Sequence, residues 1–220
     1  MTKRVSLFVT CVVDQLLPRA GLAMAEVLTQ VGCEVEFRPA QTCCGRPAYE
    51  AGCREQAKLV GEHFLASFAD AEFIVTPSTS CASMLRKRLP ELSGPAARET
   101  AARVWEFSRF LVEIAKVDDV GARFEHSVVV QDAEGLNCGH RLLSHVKGLE
   151  QLPLNDWAGS GNLWGRSEPV TPALVNRIVA SGASHVIGME TERLLLLRGA
   201  LQRGGHAIET VHLAEVLASR

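Results

Sequence analysis

The chain has 220 residues and a formal net charge of −2; 47% of its residues are hydrophobic and only 5% are aromatic. That near-neutral balance excludes the basic footprint of a nucleic-acid binder and an acidic interaction tail. No apolar run approaches the ~20 residues of a membrane span, and the first apolar segment is too short for a signal peptide, so a cytoplasmic protein of one large or two small domains is expected.

In chain order, residues 3–10 read as a buried strand ending at Thr10-Cys11. Residues 16–30 place Leu17, Ala20, Ala23, Met24, Val27 and Leu28 at three- and four-residue spacing, which predicts a helix, with Gly32 as its C-cap. Residues 33–37 alternate as a second strand and lead into Gln41-Thr42-Cys43-Cys44-Gly45-Arg46-Pro47. A helix over residues 53–69, a strand over 71–76 and the loop Pro77-Ser78-Thr79-Ser80 follow, with Cys81 opening a helix that reaches Arg88. Pro90, Gly94 and Pro95 break the pattern. The spacing of Val104, Phe107, Phe110, Leu111 and Ile114 predicts one helix over residues 96–115.

The pattern then restarts. Strands are predicted at 126–130, 151–154, 185–188 and 206–211, with helices around 141–146 and over 172–181, 190–203 and 212–219. Strands alternating with helices imply parallel sheets and right-handed crossovers. The expected architecture is α/β: two pseudo-repeated βαβ-type halves with parallel sheets flanked by helices. Residues 1–95 form the first half, 96–125 a connecting helix and linker, and 126–220 the second half.

Of seven cysteines, six lie in the first 81 residues. Buried packing or a strained vicinal disulfide would account for an isolated Cys-Cys pair. Here, however, Cys11, Cys43, Cys44 and Cys81 all fall at or just after successive strand ends, where functional loops of parallel sheets gather. Four convergent thiols suit an iron–sulfur cluster or a zinc ion. Zinc sites usually bring their cysteines as close pairs around a tight knuckle, whereas 31 residues separate Cys11 from Cys43 and 36 separate Cys44 from Cys81. The spacing favours the cluster modestly. Cys33 and Cys53 read as packing residues. Arg46 and Arg86 sit near the proposed cluster edge. The seven histidines show no ligand spacing and read as structural or surface residues.

At these cysteines the chain resembles the cysteine-rich CCG domain found in heterodisulfide reductase, the glycolate oxidase iron–sulfur subunit and the lactate utilization protein A family, the last most closely. The resemblance rests on Val5-Ser6-Leu7-Phe8-Val9-Thr10-Cys11, Cys44-Gly45-Arg46-Pro47-Ala48-Tyr49, Thr76-Pro77-Ser78-Thr79-Ser80-Cys81, Leu143-Ser144-His145-Val146-Lys147-Gly148-Leu149 and His212-Leu213-Ala214-Glu215-Val216-Leu217. It implies a subunit of a cytosolic iron–sulfur complex oxidising L-lactate or glycolate, with the complex's other subunits as partners and a [4Fe–4S] cluster, noncubane in heterodisulfide reductase, as cofactor.

The second cysteine set of that pattern is missing. Asp132-Ala133-Glu134, Trp157-Ala158-Gly159 and Glu192-Arg193 stand at the corresponding places, Cys138 is a leftover thiol, and Met84 stands where a fifth cysteine of the first set would be. The Gly-rich stretch 156–165 lacks the phosphate-binding fingerprints and reads as the eroded second metal loop. One cluster on Cys11, Cys43, Cys44 and Cys81 is therefore expected, with the second half a partner-docking remnant. A zinc-binding or metal-free scaffold, and a thiol redox switch at Cys43-Cys44, stand as alternatives.

Overall fold

The computed structural model describes residues 2–131, 137–154 and 170–220. The chain begins with β1 (Arg4–Leu7), α1 (Cys11–Leu16), α2 (Pro18–Gln30) and β2 (Glu34–Phe37). Next come α3 (Arg46–Glu50), α4 (Arg54–Ser67), β3 (Phe73–Thr76) and α5 (Thr79–Ser83). A π-helical turn over Met84–Arg88 joins α5 to α6 (Leu89–Ser93), and α7 (Ala97–Ala102), β4 (Val104–Glu106) and α8 (Phe107–Arg109) complete the half. A second π-helical turn, Phe110–Ala115, prolongs α8.

The second half runs β5 (Ser127–Gln131), α9 (Asn137–Leu143), β6 (Glu150–Gln151), α10 (Pro172–Ala180), β7 (His185–Gly188), α11 (Thr191–Arg203), β8 (Glu209–His212) and α12 (Leu213–Ala218). The α/β class is as expected. There are two four-stranded parallel sheets, ordered β2-β1-β3-β4 and β6-β5-β7-β8. Their registers correspond: Thr76 pairs with Glu106 at the end of β3 and β4, as Gly188 pairs with His212 at the end of β7 and β8. In each sheet the strand order reverses direction at the first strand, the topological switch point where open α/β sheets form a crevice at their carboxyl ends.

Several expected elements differ. The strand expected over 151–154 is the short β6, and the helix expected around 141–146 is α9, which starts earlier. Three further differences bear on the site. The single helix over 96–115 is interrupted by β4, because Val104 and Trp105 pair with Ile74 and Val75 of β3; pairing along a buried strand overrides a helical spacing that the same apolar residues also satisfy. Glu106 then caps α8, its carboxylate accepting from the N–H groups of Ser108 and Arg109 at 3.0 and 3.1 Å. Pro90 does not end the helical path, since it lies in the first turn of α6, where its missing N–H costs little. The helix expected over 16–30 begins earlier and divides at Leu17, with Pro18 starting α2. Cys11 therefore stands in the first turn of a short helix.

Helices α2 and α12 pack against each other between the sheets. Met24, Val27 and Leu28 of α2 share one buried cluster with Leu213, Val216 and Leu217 of α12 and with Phe107, Phe110 and Leu111. The two halves thus share a core. The other face of the first sheet is covered by α4 and the α5–α6 path. There Phe8, Phe64 and Phe68 meet at centroid separations of 4.8 to 5.8 Å, in a cluster that also buries Cys44, Cys81 and Met84. Among the described residues no helix is long and apolar enough to cross a membrane.

Candidate metal centre

Three strand ends deliver the cysteines. After β1, the N–H of Phe8 still bonds Val75 of β3 at 2.9 Å, and Thr10 caps α1 by accepting from the Val13 N–H at 3.4 Å. This sets Cys11 at the first helical position, exposed. After β2, the Gln41 side chain pins the loop to β1. Its Oε1 accepts from the Val9 N–H at 2.7 Å, and its Nε2 donates to the Leu7 carbonyl at 3.1 Å. After β3, Ser78 caps α5, its hydroxyl accepting from the Cys81 N–H at 3.3 Å.

The vicinal cysteines divide between two directions. The Cys43 Sγ lies 3.7 Å from Cys11 Sγ on the outer side. The Cys44 Sγ lies 3.2 Å from Cys81 Sγ on the inner side. Neighbouring residues of an extended segment point oppositely, and the turn that follows needs Gly45, whose φ is +82°. A Cβ there would stand 3.1 Å from the Ala57 carbonyl oxygen. Cys44 is 3% exposed and Cys81 9%, so one sulfur pair is walled by apolar side chains while the other faces solvent. Beside the outer pair opens a cleft of about 350 Å³, lined by Val9, Asp14, Gln15, Phe37, Pro39, Gln41 and Thr42.

The four thiols are electrostatically one group. The Cys43 sulfur is held well below the ordinary thiol value by the Cys11 thiol that donates to it, by the adjacent Cys44 thiol, and by the Gly45 and Cys44 N–H groups. Cys11 is pushed up by donating to Cys43, then by burial and by the charges of Cys43 and Cys81. Cys44 is pushed up by its bonds to Cys43 and Cys81 and by burial. In the metal-free arrangement one thiolate, at Cys43, is stabilised at the expense of its neighbours Cys11 and Cys44, which keep their protons. Among the described residues no three His, Cys, Asp or Glu side chains gather at the spacing of ligands around one ion. The sulfurs stand instead as two close pairs.

The other residues singled out from the sequence lie apart. Met84 is 2% exposed and packs in the apolar cluster behind Cys44 and Cys81. Cys33 is buried in the core between the halves, and Cys53 is exposed at the start of α4. The half-buried Cys138 Sγ lies 3.9 Å from Glu113 Oε1. Arg86 does not join the cluster edge. Its guanidinium donates to the Val104 carbonyl at 2.5 Å and to the Ala102 carbonyl at 3.2 Å, tying the π-helical turn to β4. Asp132, Glu134, Trp157-Ala158-Gly159 and Trp164 lie outside the described residues.

Arg46 does border the site. Its guanidinium donates to Ser80 Oγ at 2.7 Å and pairs with Glu50 at 2.7 Å and Glu192 at 3.1 Å. Burial disfavours its charge, but Glu50, Glu190 and Glu192 more than offset this and hold it above the usual arginine value. Two residues at this border escape a reading by motif. Glu190 accepts from the Ser80 N–H at 2.9 Å, and His212 Nε2 lies 2.9 Å from the Pro77 carbonyl. The only local signal is at His212, where Glu215 three residues on forms a capping box.

Residues 5–86 match the CCG family, described as a cysteine-rich domain. Along nearly its whole length the chain is 37% identical to lactate utilization protein A of Geobacillus kaustophilus and to that of Bacillus cytotoxicus, with 99% of each chain covered. It is 38% identical to lactate utilization protein A of Bacillus thuringiensis at the same coverage. Among solved structures, a glutamate racemase from Francisella tularensis aligns at a TM-score of 0.36 and 9% identity over 99% of this chain and 78% of that one, a level that bears on neither fold nor function.

Proposed function

Because the chain belongs to the lactate utilization protein A family, we propose that it is an iron–sulfur electron-transfer subunit of a cytosolic complex that oxidises L-lactate to pyruvate. The observation that carries this reading is the convergence of Cys11, Cys43, Cys44 and Cys81, from three strand ends, into two close sulfur pairs. Two pairs suit a group with several metal atoms better than a single ion does, since each pair can meet a different atom.

Cys11, Cys43, Cys44 and Cys81 would hold one [4Fe–4S] cluster. When bound, it supplies a store for one electron at a time. The chain's own residues divide that task. Cys44 and Cys81 anchor the inner side among apolar side chains, where water is excluded and the local dielectric is low. Cys11 and Cys43 border the cleft and would hold the side of the cluster nearest solvent and a redox partner. Arg46 ties the helix start after Cys44 to the Cys81 loop through Ser80, while its charge is matched by Glu50, Glu190 and Glu192. Lactate oxidation releases two electrons and two protons; the substrate step belongs to the partner subunits, and this chain relays the electrons.

The test is composition under anaerobic conditions. The purified protein is expected to be brown, to contain iron and acid-labile sulfide, and to give an EPR signal on reduction. Colourless protein that takes up no iron after reconstitution overturns the reading, and one equivalent of zinc without iron would make it a scaffold.

A further inference from the structure

The loop that carries Cys81 is held from the half of the molecule that has none of the four site cysteines. Glu190 stands two residues past the end of β7, at the N-cap position of α11, but its side chain makes no capping hydrogen bond to that helix. Its Oε2 accepts from the Ser80 N–H at 2.9 Å, and its Oε1 accepts from the Ser80 and Ser78 hydroxyls at 3.0 and 3.3 Å. The proton count is consistent. Ser78 Oγ accepts from the Cys81 N–H and donates its own hydrogen to Glu190. Ser80 Oγ accepts from Arg46 and donates to Glu190.

His212, at the end of β8, takes the other end of the same loop. Its Nδ1 accepts from the Ala214 N–H at 3.1 Å, which places the ring proton on Nε2, and Nε2 donates to the Pro77 carbonyl at 2.9 Å. The side chain is 1% exposed. The strand registers show the logic of the contact. Ser78 and Glu190 stand two residues past the paired positions Thr76 and Gly188, so they are equivalent places in the two halves. The two equivalent N-cap positions meet: Ser78 caps its own helix, whereas the Glu190 carboxylate leaves its own helix uncapped and reaches Ser80, 110 residues away in sequence.

We infer that Glu190 and His212 are positioning residues for Cys81: the second half clamps Pro77-Ser78-Thr79-Ser80 and thereby sets where the Cys81 sulfur stands against Cys44. The inference rests on the proposed ligand role of Cys81 for its consequence in the loaded protein, but the clamp itself is testable without metal. It gives the second half a task in the site although that half has none of the four cysteines.

The test uses the full chain, as metal-free and as iron-loaded protein, with Glu190→Ala, Glu190→Gln and His212→Ala. Alkylation by iodoacetamide is followed cysteine by cysteine by peptide mass. In metal-free protein, His212→Ala should raise the Cys81 rate about tenfold, the upper range for one net hydrogen bond, and Glu190→Ala, which removes three from the loop, by at least as much, while Cys33 in the shared core keeps its wild-type rate. Glu190→Gln retains one acceptor oxygen and should fall between wild type and Glu190→Ala. In iron-loaded protein, Glu190→Ala should change the shape of the EPR signal and Glu190→Gln should restore it. Unchanged Cys81 labelling overturns the clamp, and so does a rise at Cys33 equal to that at Cys81, which would show global opening instead. Failure of wild type to take up iron would overturn the proposed function, while the labelling result would still decide the clamp.

Discussion

The two halves have the same strand order and matching registers, yet their strand ends carry opposite chemistry. The first half ends β1, β2 and β3 in loops bearing four cysteines. At the equivalent of Ser78 the second half has Glu190, and the place of Cys81 falls on Arg193, as the common registers require. The caps after the fourth strands differ likewise. Glu106 satisfies the N–H groups of its own helix, whereas His212 caps its helix and reaches across to Pro77. The two halves thus share one fold although only one carries the four cysteines at its strand ends, because the core of α2, α12 and the α8 region is built from apolar residues of both halves. What the second half has at its strand ends is contact with the first, through Glu190 and His212.

The largest effect that separates the halves is expected from the inner sulfur pair. Cys44→Ser or Cys81→Ser should abolish iron uptake, measured by iron and sulfide content after anaerobic reconstitution. The buried hydroxyl should also cost the metal-free protein about 1–3 kcal/mol in a denaturant titration. Full iron content in either variant would remove the first half's claim to the site.

The two fourth-strand caps should respond to pH with opposite sign. Burial lowers the His212 value from 6.5 to about 4, with only the carbonyls of Pro77 and Met189 opposing it. The unfolded chain therefore takes up a proton before the folded one does. The stability His212 contributes is fully present above pH 6.5 and is lost progressively as pH falls through 4, about 3 kcal/mol in all. Burial raises Glu106 against the Ser108 and Arg109 N–H groups. Its contribution is full below the ordinary carboxylate value and is lost as pH rises. In melting curves from pH 4 to 8, His212→Gln should flatten the acid limb and Glu106→Gln should flatten the loss on the neutral side. Parallel curves for both variants and wild type would break the comparison.

A smaller effect should come from the turn that splits the vicinal pair. Gly45→Ala forces a side chain into positive φ with its Cβ close to the Ala57 carbonyl and should cost about 1–3 kcal/mol in thermal or chemical melts. It should also lower iron content, because Cys43 and Cys44 would no longer point to their separate partners. The smallest effect is expected at the second half's own thiol. Cys138→Ala should leave iron stoichiometry unchanged, since Cys138 lies by Glu113 and away from the sulfur pairs.

Much of this is legible from the chain alone. The strand runs beginning at Val5 and Phe73, and the positions of Cys11, Cys43, Cys44 and Cys81 after them, identify a parallel α/β half with cysteines at its strand ends. Those features are local, set by apolar periodicity and turn residues. β4 is hidden because Val104, Phe107 and Leu111 satisfy a helical spacing as well as a strand followed by a helix. Glu190 is hidden because Glu190-Thr191-Glu192 looks like an ordinary acidic helix start, and its partner is 110 residues away.

The class of fold, the repeat and the identity of the four candidate sulfur ligands therefore follow from local pattern along the chain. The division of the vicinal cysteines between an outer and an inner pair does not, and neither does the hold of Glu190 and His212 on the Cys81 loop. Both are consequences of a shared core that brings distant strand ends together, and no spacing along the chain encodes a distance across it.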